Sequence, residues 1–268
     1  MPNSVLSRPA VTQPSSRKPT ELLQHPSPGA AVAYERNDAF AENFVETGKS
    51  GPPHYLNRRF DAVGTFLPQP GNTVVSHVVD GSATQQALVR VREALKVLPY
   101  GDRFAYTPVS SLHMTVFQGT IEGRRKSAYW PRELASEAPI DETTTFFLDR
   151  LKAFPKASEF RMRPVEVTPL GVVVTGATLG DEQIIRALRD RLTAPFGYSH
   201  PDHDSYTFHI TLAYLKAWLP AGAEATYLPA LAELTRSLVM EVEVFELEVP
   251  AFCTFNDMTE FKPQHHLA

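Results

Sequence analysis

The strongest constraint on this chain is a short pattern that it contains twice: histidine, apolar residue, threonine, apolar residue. The first copy begins at His113 and the second at His209. Side chains alternate between the two faces of a β-strand, so His113 and Thr115 share one face of the first strand. His209 and Thr211 share one face of the second strand for the same reason. Each copy therefore predicts a strand that presents an imidazole beside a hydroxyl.

One such pattern alone would carry little information, because a histidine within an apolar strand is usually a structural residue. Two copies in matching contexts can form one symmetric site. Paired imidazoles suit acid–base chemistry near neutral pH, because one can be neutral while the other is protonated. Paired hydroxyls can donate hydrogen bonds to the oxygens of an anion. The repeated motif therefore predicts a site for an anion that undergoes proton-assisted chemistry.

Composition and charge restrict the partner. The chain has 268 residues, of which 43% are hydrophobic and 21% charged, with a formal net charge of −4. This length and composition suit one large globular domain or two small lobes. A negative net charge argues against a broad basic surface that holds long duplex nucleic acid. A small nucleotide or an RNA end needs only a local positive pocket, and it is the partner that we expect.

The cysteine count and the hydropathy pattern restrict the compartment. Cys253 is the only cysteine, which excludes an intrachain disulfide and a cysteine-based zinc cluster. The N-terminus lacks the apolar core of a secretory signal, and no stretch is long and apolar enough to cross a bilayer. We expect a cytoplasmic protein, a monomer, with no membrane contact.

Three segments are predicted along the chain. Residues 1–50 form a flexible N-terminal arm rich in Pro and Ser, with a short helix near its end. Residues 51–262 form the folded domain, and residues 263–268 form a loose tail. Within the domain, lobe one spans about 55–120, a connection spans about 121–158, and lobe two spans about 159–262.

The same series of elements leads to each motif. A strand, a capped helix and a second strand are predicted before and through His113, with Ser82 and Gln85 as a capping box. The series recurs before His209, with Asp181 as the helix cap. We interpret this recurrence as an internal duplication that yields two lobes with approximate twofold symmetry.

A duplicated α+β chain with two such tetrads resembles the two-histidine (2H) phosphoesterase superfamily, which includes 2′-5′ RNA ligase-like proteins and cyclic nucleotide phosphodiesterases. The resemblance covers roughly residues 55–260. Residues 66–73 and 111–119 resemble a branch whose substrate is not assigned. The resemblance implies a bilobal α+β fold in which two antiparallel sheets face a central cleft and helices cover the outside.

The resemblance also implies an activity and a set of site residues. His113 and His209 would be the catalytic pair, and Thr115 and Thr211 would bind the substrate phosphate. The implied enzyme is a hydrolase for a 2′,3′-cyclic or 2′-5′-linked nucleotide or RNA-end phosphodiester. It needs no cofactor and no metal, because two imidazoles can supply the base and the acid.

Other residues near the motifs are weaker candidates for the pocket. They are Phe117, Gln118, Arg124 and Lys216. Alternation along the second strand places Tyr214 on the face opposite His209, which favours the core. Asn72 lies in a Pro-Gly turn, which favours a role in turn geometry.

Two other functions remain open at this point. A metal-dependent hydrolase could use the ligand-rich turn that contains His200 and His203, and sensitivity to chelators would distinguish it. A non-catalytic module could bind a nucleotide or an RNA end in the same cleft. A turnover assay with cyclic nucleotides would distinguish that reading.

Overall fold

The structure is a computed structural model that describes residues 38–268. The predicted N-terminal arm falls largely on residues 1–37, which lie outside the described residues. Residues 38–44 are helical (α1) and belong to the folded part of the chain rather than to an arm. Phe40 and Val45 are buried in the main core, and the Phe40 ring lies 5.7 Å from that of Tyr227. The apolar side chains of this short helix therefore extend the folded domain from residue 51 back to residue 38.

Helices and strands alternate irregularly along the described chain. The other helices are Ala83–Val97 (α2), Ile140–Leu151 (α3), Leu179–Phe196 (α4) and Glu224–Glu241 (α5). The strands are Gly71–His77 (β1), Phe104–Tyr106 (β2), His113–Ile121 (β3), Met162–Thr168 (β4), Gly171–Gly176 (β5), His209–Thr211 (β6), Ala213–Leu215 (β7), Ala251–Phe255 (β8) and Lys262–His266 (β9).

All the strand pairs are antiparallel, which confirms the predicted α+β class with two antiparallel sheets. The larger sheet has the order β4-β5-β6-β3-β1-β8-β9, and the smaller sheet pairs β2 with β7. The two motif strands, β3 and β6, are neighbours in the larger sheet. Strands from both halves of the chain therefore join in one seven-stranded sheet, with the motifs at the junction.

The strand–helix–strand series occurs twice, as β1-α2-β3, in which the short strand β2 is inserted before β3, and as β5-α4-β6. Ser82 caps α2 by accepting a hydrogen bond from the Gln85 amide. Helix α4 begins one turn earlier than predicted: Thr178 is its N-cap, and Asp181 completes a capping box from the third helical position. An acidic residue that follows Thr by three positions is the signature of that box.

The C-terminal strands lie beside lobe one rather than lobe two. Strand β8 pairs with β1, and β9 pairs with β8. Residues 263–268 are not a loose tail, because β9 includes most of them and Leu267 is buried. The Leu267 N–H donates to the Pro250 carbonyl at 2.8 Å. The buried Leu267 side chain and the pairing of β9 with β8 hold this end of the chain in place. Hydrophobic periodicity along the sequence predicts neither of them.

Candidate active site

The pairing of β3 with β6 brings the two motifs together. Met114 lies opposite Ile210 in an antiparallel register. One residue to either side, His113 comes opposite Thr211, and Thr115 comes opposite His209. Directly opposite side chains in such a pair are about 4.5–5.5 Å apart at Cβ, and diagonal ones about 7–8 Å. The two histidines are a diagonal pair, which leaves room for a small group between their rings.

The two faces of this junction differ sharply in burial. Met114 and Ile210 are fully buried in the main core. On the other face, His113, Thr115 and Thr211 are partly exposed and His209 is exposed. Alternation along the strands therefore sends the apolar residues of each tetrad into the core and its polar residues into the open cleft.

Each catalytic candidate is held by the same hydrogen bond. The His113 Nδ1–H donates to the Ser111 carbonyl at 2.7 Å, and the His209 Nδ1–H donates to the Thr207 carbonyl at 2.9 Å. A carbonyl oxygen can only accept, so the proton of each neutral ring resides on Nδ1. In both rings Nε2 remains the atom that can exchange a proton with a ligand.

The four motif side chains line one cleft of about 530 Å³, a size that suits a small-molecule ligand. Gln118 and Arg124 line it as well. Phe255, Met258 and Phe261 contribute an apolar wall that belongs to a second, smaller core cluster. Lys216 does not line the cleft, and its side chain lies beside Gly64 instead.

A β-bulge explains why Gln118, and not Phe117, faces the cleft. In the pairing of β1 with β3, Val74 lies opposite Phe117 and Val75 opposite Thr115, so Val116 is an extra residue. The bulge shifts the alternation by one position after Thr115. Phe117 is consequently fully buried, with its ring 4.7 Å from that of Phe196. The structure places it in the core.

The second motif strand has the same shift. The amides of Leu212 and Ala213 both donate to the Leu170 carbonyl, at 2.7 and 3.0 Å, so two residues oppose one. Tyr214 therefore turns to the cleft, although uninterrupted alternation favours the core for it. It stands five residues after His209, as Gln118 stands five residues after His113. The duplication thus extends beyond the tetrads to a matched bulge and a matched cleft position.

Two further residues line the cleft without a sequence signal for that position. Tyr206, in an irregular segment, is buried with its hydroxyl near the side chains of Thr115 and Gln118, and its ring lies 6.1 Å from that of His209. Asn72 is fully buried in β1, where the sequence predicts a turn. Its amide nitrogen donates to the hydroxyls of Thr120, Thr143 and Thr144, and its oxygen accepts from the Thr120 amide. Asn72 therefore joins β1, β3 and α3 beneath the cleft.

The two histidines differ in environment. The ring of His113 packs against Phe261, with 4.0 Å between the centroids. Burial lowers the pKa of His113 to about 4, although its hydrogen bond to the Ser111 carbonyl opposes the shift. His113 is therefore neutral at pH 7 in the unliganded protein. A neutral imidazole with a free Nε2 is suited to accept a proton.

The ligand-rich turn does not gather metal ligands. His200 is buried against aromatic rings, the closest being Phe117 at 4.9 Å, and the His203 Nε2–H donates to the Asp190 carboxylate at 2.8 Å. Neither histidine lines the cleft. Within residues 38–268, no group of three or more His, Cys, Asp or Glu side chains is arranged to hold a metal ion.

The buried His200 predicts a loss of stability in acid. Burial first, and then the charge of Arg124, lower the pKa of His200 to about 3 from its usual 6.5. The unfolded chain therefore binds this proton more readily, so the contribution of His200 to stability is full above pH 6.5 and is lost as the pH falls towards 3. We expect a loss of about 2 kcal/mol at pH 5 from this residue.

Urea unfolding at pH 8 and pH 5 measures that loss. His200→Gln, which cannot take up a proton, should show a smaller difference between the two pH values than the wild type. His266→Gln, at an exposed position on β9, is the control and should behave as the wild type. An unchanged difference in His200→Gln would exclude His200 as a source of acid sensitivity.

Comparisons with known proteins concern the family and the fold of the chain. The model of a family described as 2H phosphodiesterase, a domain of unknown function (DUF1868), matches residues 59–173, which include the first motif. A crystal structure of a conserved protein of unknown function from Agrobacterium tumefaciens is 43% identical, with a TM-score of 0.83. The match covers 86% of this chain and 99% of that one.

The chain belongs to the 2H phosphodiesterase family. Membership of the 2H family supports a phosphoesterase function in general. No curated protein matches the chain. In the part of the chain that the structure describes, no helix has both the length and the hydropathy to cross a membrane.

Proposed function

We propose that this 2H protein hydrolyses a 2′,3′-cyclic or 2′-5′-linked phosphodiester of a small nucleotide or RNA end by acid–base catalysis with its two histidines, without a metal. The proposal is based on one observation: the paired strands β3 and β6 present the Nε2 atoms of His113 and His209 on the same face of the sheet. Each ring is fixed by its Nδ1–H bond to a carbonyl two residues earlier. Each also has a threonine hydroxyl on the same strand face.

The arrangement supports an in-line displacement at phosphorus. One Nε2 takes a proton from water as the water oxygen bonds to phosphorus. The other histidine gives a proton to the departing ribose oxygen as its bond to phosphorus breaks. The product is a nucleotide 2′- or 3′-phosphate, and both histidines have exchanged protonation states. The hydroxyls of Thr115 and Thr211 donate to the non-bridging oxygens, where charge develops.

The burial of the two rings favours one division of roles. His113 is the more enclosed and is neutral at pH 7, so we assign it as the base. His209 is the more exposed ring and is assigned as the acid. Both assignments concern the direction of hydrolysis, and the roles exchange in the reverse reaction. From the sequence we also propose that the protein is a cytoplasmic monomer.

A screen of 2′,3′-cyclic nucleotides and 2′-5′-linked dinucleotides tests the proposal. We expect turnover of at least one of these compounds by the full chain in excess EDTA. Chromatography against authentic 2′- and 3′-phosphates identifies which P–O bond breaks. Binding without turnover would instead favour a non-catalytic nucleotide module. Turnover that EDTA abolishes would favour the metal-dependent alternative.

A further inference from the structure

The cleft has a charge character that differs from that of the whole protein. The chain has a formal net charge of −4, yet no Asp or Glu within residues 38–268 lines the cleft. Its lining instead includes two arginines, Arg59 and Arg124, besides three histidines. A concave site with charges of one sign concentrates ligands of the opposite sign. The cleft is therefore suited to an anion with more charge than a single phosphodiester has.

Arg124 has hydrogen-bonding capacity that the protein does not use. Its Nη1 donates to the Gln118 Oε1 at 2.8 Å. This hydrogen bond holds the guanidinium next to Gln118, the residue of β3 that faces the cleft. Its Nε and Nη2 are buried and have no hydrogen-bond partner among residues 38–268. The guanidinium carbon lies 4.1 Å from the centroid of the Tyr129 ring, which restricts its orientation further. Leaving charged donors buried and unpaired is unfavourable, so rotation of the guanidinium towards an oxygen anion in the cleft would satisfy them.

Arg59 occupies the same region. Its guanidinium carbon lies 4.1 Å from the Tyr55 ring centroid, and its Nε donates to the Gln69 Oε1 at 3.1 Å. Both guanidinium groups line the cleft, and after burial the charge of Arg59 also lowers the pKa of Arg124. Two like charges held together by surrounding rings and amides favour an anion between them.

The separation of this region from the histidines suits a nucleotide. Thr115 lies beside the histidine pair, and Gln118, which holds Arg124, is three residues further along β3. Three residues of extended chain span roughly 10 Å, somewhat less across a bulge. Phosphates at the 2′,3′ and 5′ positions of one ribose lie closer together than that reach, and the long Arg124 side chain can cover the difference.

We propose that Arg124 and Arg59 bind a second phosphate, so that the substrate is a cyclic nucleotide with a phosphate or pyrophosphate on its 5′ oxygen. This inference rests on the proposed function, since it places the scissile phosphodiester between His113 and His209. Bidentate hydrogen bonding from an arginine to phosphate oxygens is a strong and orientation-specific interaction. The second phosphate would thus select the substrate and orient its ribose.

Paired substrates test the second phosphate. We expect the wild-type chain to hydrolyse 5′-phospho-adenosine 2′,3′-cyclic phosphate with a kcat/KM about 10–100-fold above that for adenosine 2′,3′-cyclic phosphate, the range for hydrogen bonds to a charged group. In Arg124→Gln this ratio should fall towards one. Arg125→Gln is the matched control: the neighbouring arginine pairs with Glu122, does not line the cleft, and should keep the wild-type ratio.

A binding measurement separates failure of this inference from failure of the proposed function. Titration calorimetry compares adenosine 3′,5′-bisphosphate with adenosine 3′-phosphate, and the inference requires tighter binding of the bisphosphate that depends on Arg124. Equal affinities in the wild type, or equal kcat/KM values for the two cyclic substrates, would overturn the second phosphate site while leaving the hydrolase intact. Arg124-dependent binding without any turnover would uphold the phosphate site and overturn the hydrolase.

Discussion

Replacement of either His113 or His209 by alanine is expected to lower turnover of a 2′,3′-cyclic nucleotide by about 10²–10⁴-fold, the usual contribution of a positioned proton carrier. Each ring has a single free nitrogen for proton exchange, because its Nδ1–H is committed to a backbone carbonyl. Loss of one ring removes either the base for water or the acid for the departing ribose oxygen. Steady-state kinetics of the single variants, with kcat and KM separated, measure the effect.

The double histidine variant and the two threonine variants test the same mechanism further. His113→Ala combined with His209→Ala should lose much less than the product of the single effects, because the two rings act as one unit. Thr115→Val and Thr211→Val remove a phosphate donor but no proton carrier, with an upper range of about 2.7–4 kcal/mol in the activation barrier.

Turnover by the wild type should follow a bell-shaped pH profile that belongs to the coupled histidine pair.

His266→Ala provides the control, because this histidine is exposed on β9 and does not line the cleft. Its kinetics should match those of the wild type. Thermal melts of all the variants exclude unfolding as the cause of lost activity. Wild-type turnover in His113→Ala or His209→Ala would contradict the two-histidine mechanism at once.

Replacement of Leu267 by alanine is expected to lower the free energy of unfolding by about 2–5 kcal/mol, the range for truncating a fully buried leucine. Leu267 is 2% exposed and packs in the main core, although it is the second-last residue of the chain. Its carbonyl accepts from the Ala157 amide at 2.7 Å, which connects the C-terminus to the segment after α3. Urea denaturation of the variant and the wild type at pH 8 measures the loss.

Exposed positions on the same strand give the comparison. His266→Ala should change stability by no more than about 0.5 kcal/mol, because surface truncations rarely exceed that value. A Leu267→Ala variant as stable as His266→Ala would show that the C-terminal segment contributes little to the fold. The loose tail that composition alone predicts for residues 263–268 would then be correct in energetic terms.

The sequence by itself determined the faces of the two motif strands. Alternation within each tetrad depends only on local backbone geometry, so the polar and apolar sides of His113-Met114-Thr115 and His209-Ile210-Thr211 follow without knowledge of the fold. The recurrence of strand, helix and strand also follows from local periodicity and caps. These features were enough to indicate the family and the α+β class.

The tertiary structure alone decided which further residues reach the cleft. The bulges after Thr115 and Thr211 arise from pairing with β1 and with Leu170, and they exchange the faces predicted for Phe117 and Tyr214. A shift of one residue reverses every later side chain, and nothing in the local sequence marks it.

The local sequence also does not determine where the domain ends. The pairing of β8 with β1 joins residues that are far apart in the sequence, and it assigns the C-terminal strands to the first half of the sheet. Leu267 comes directly after β9, and the pairing of β9 with β8 brings it to the core. Strand partners are chosen by packing across the whole core, whereas periodicity reports only on neighbours along the chain. The sequence therefore determined the chemistry of the motifs, and the long-range pairing decided the lining of the cleft and the extent of the domain.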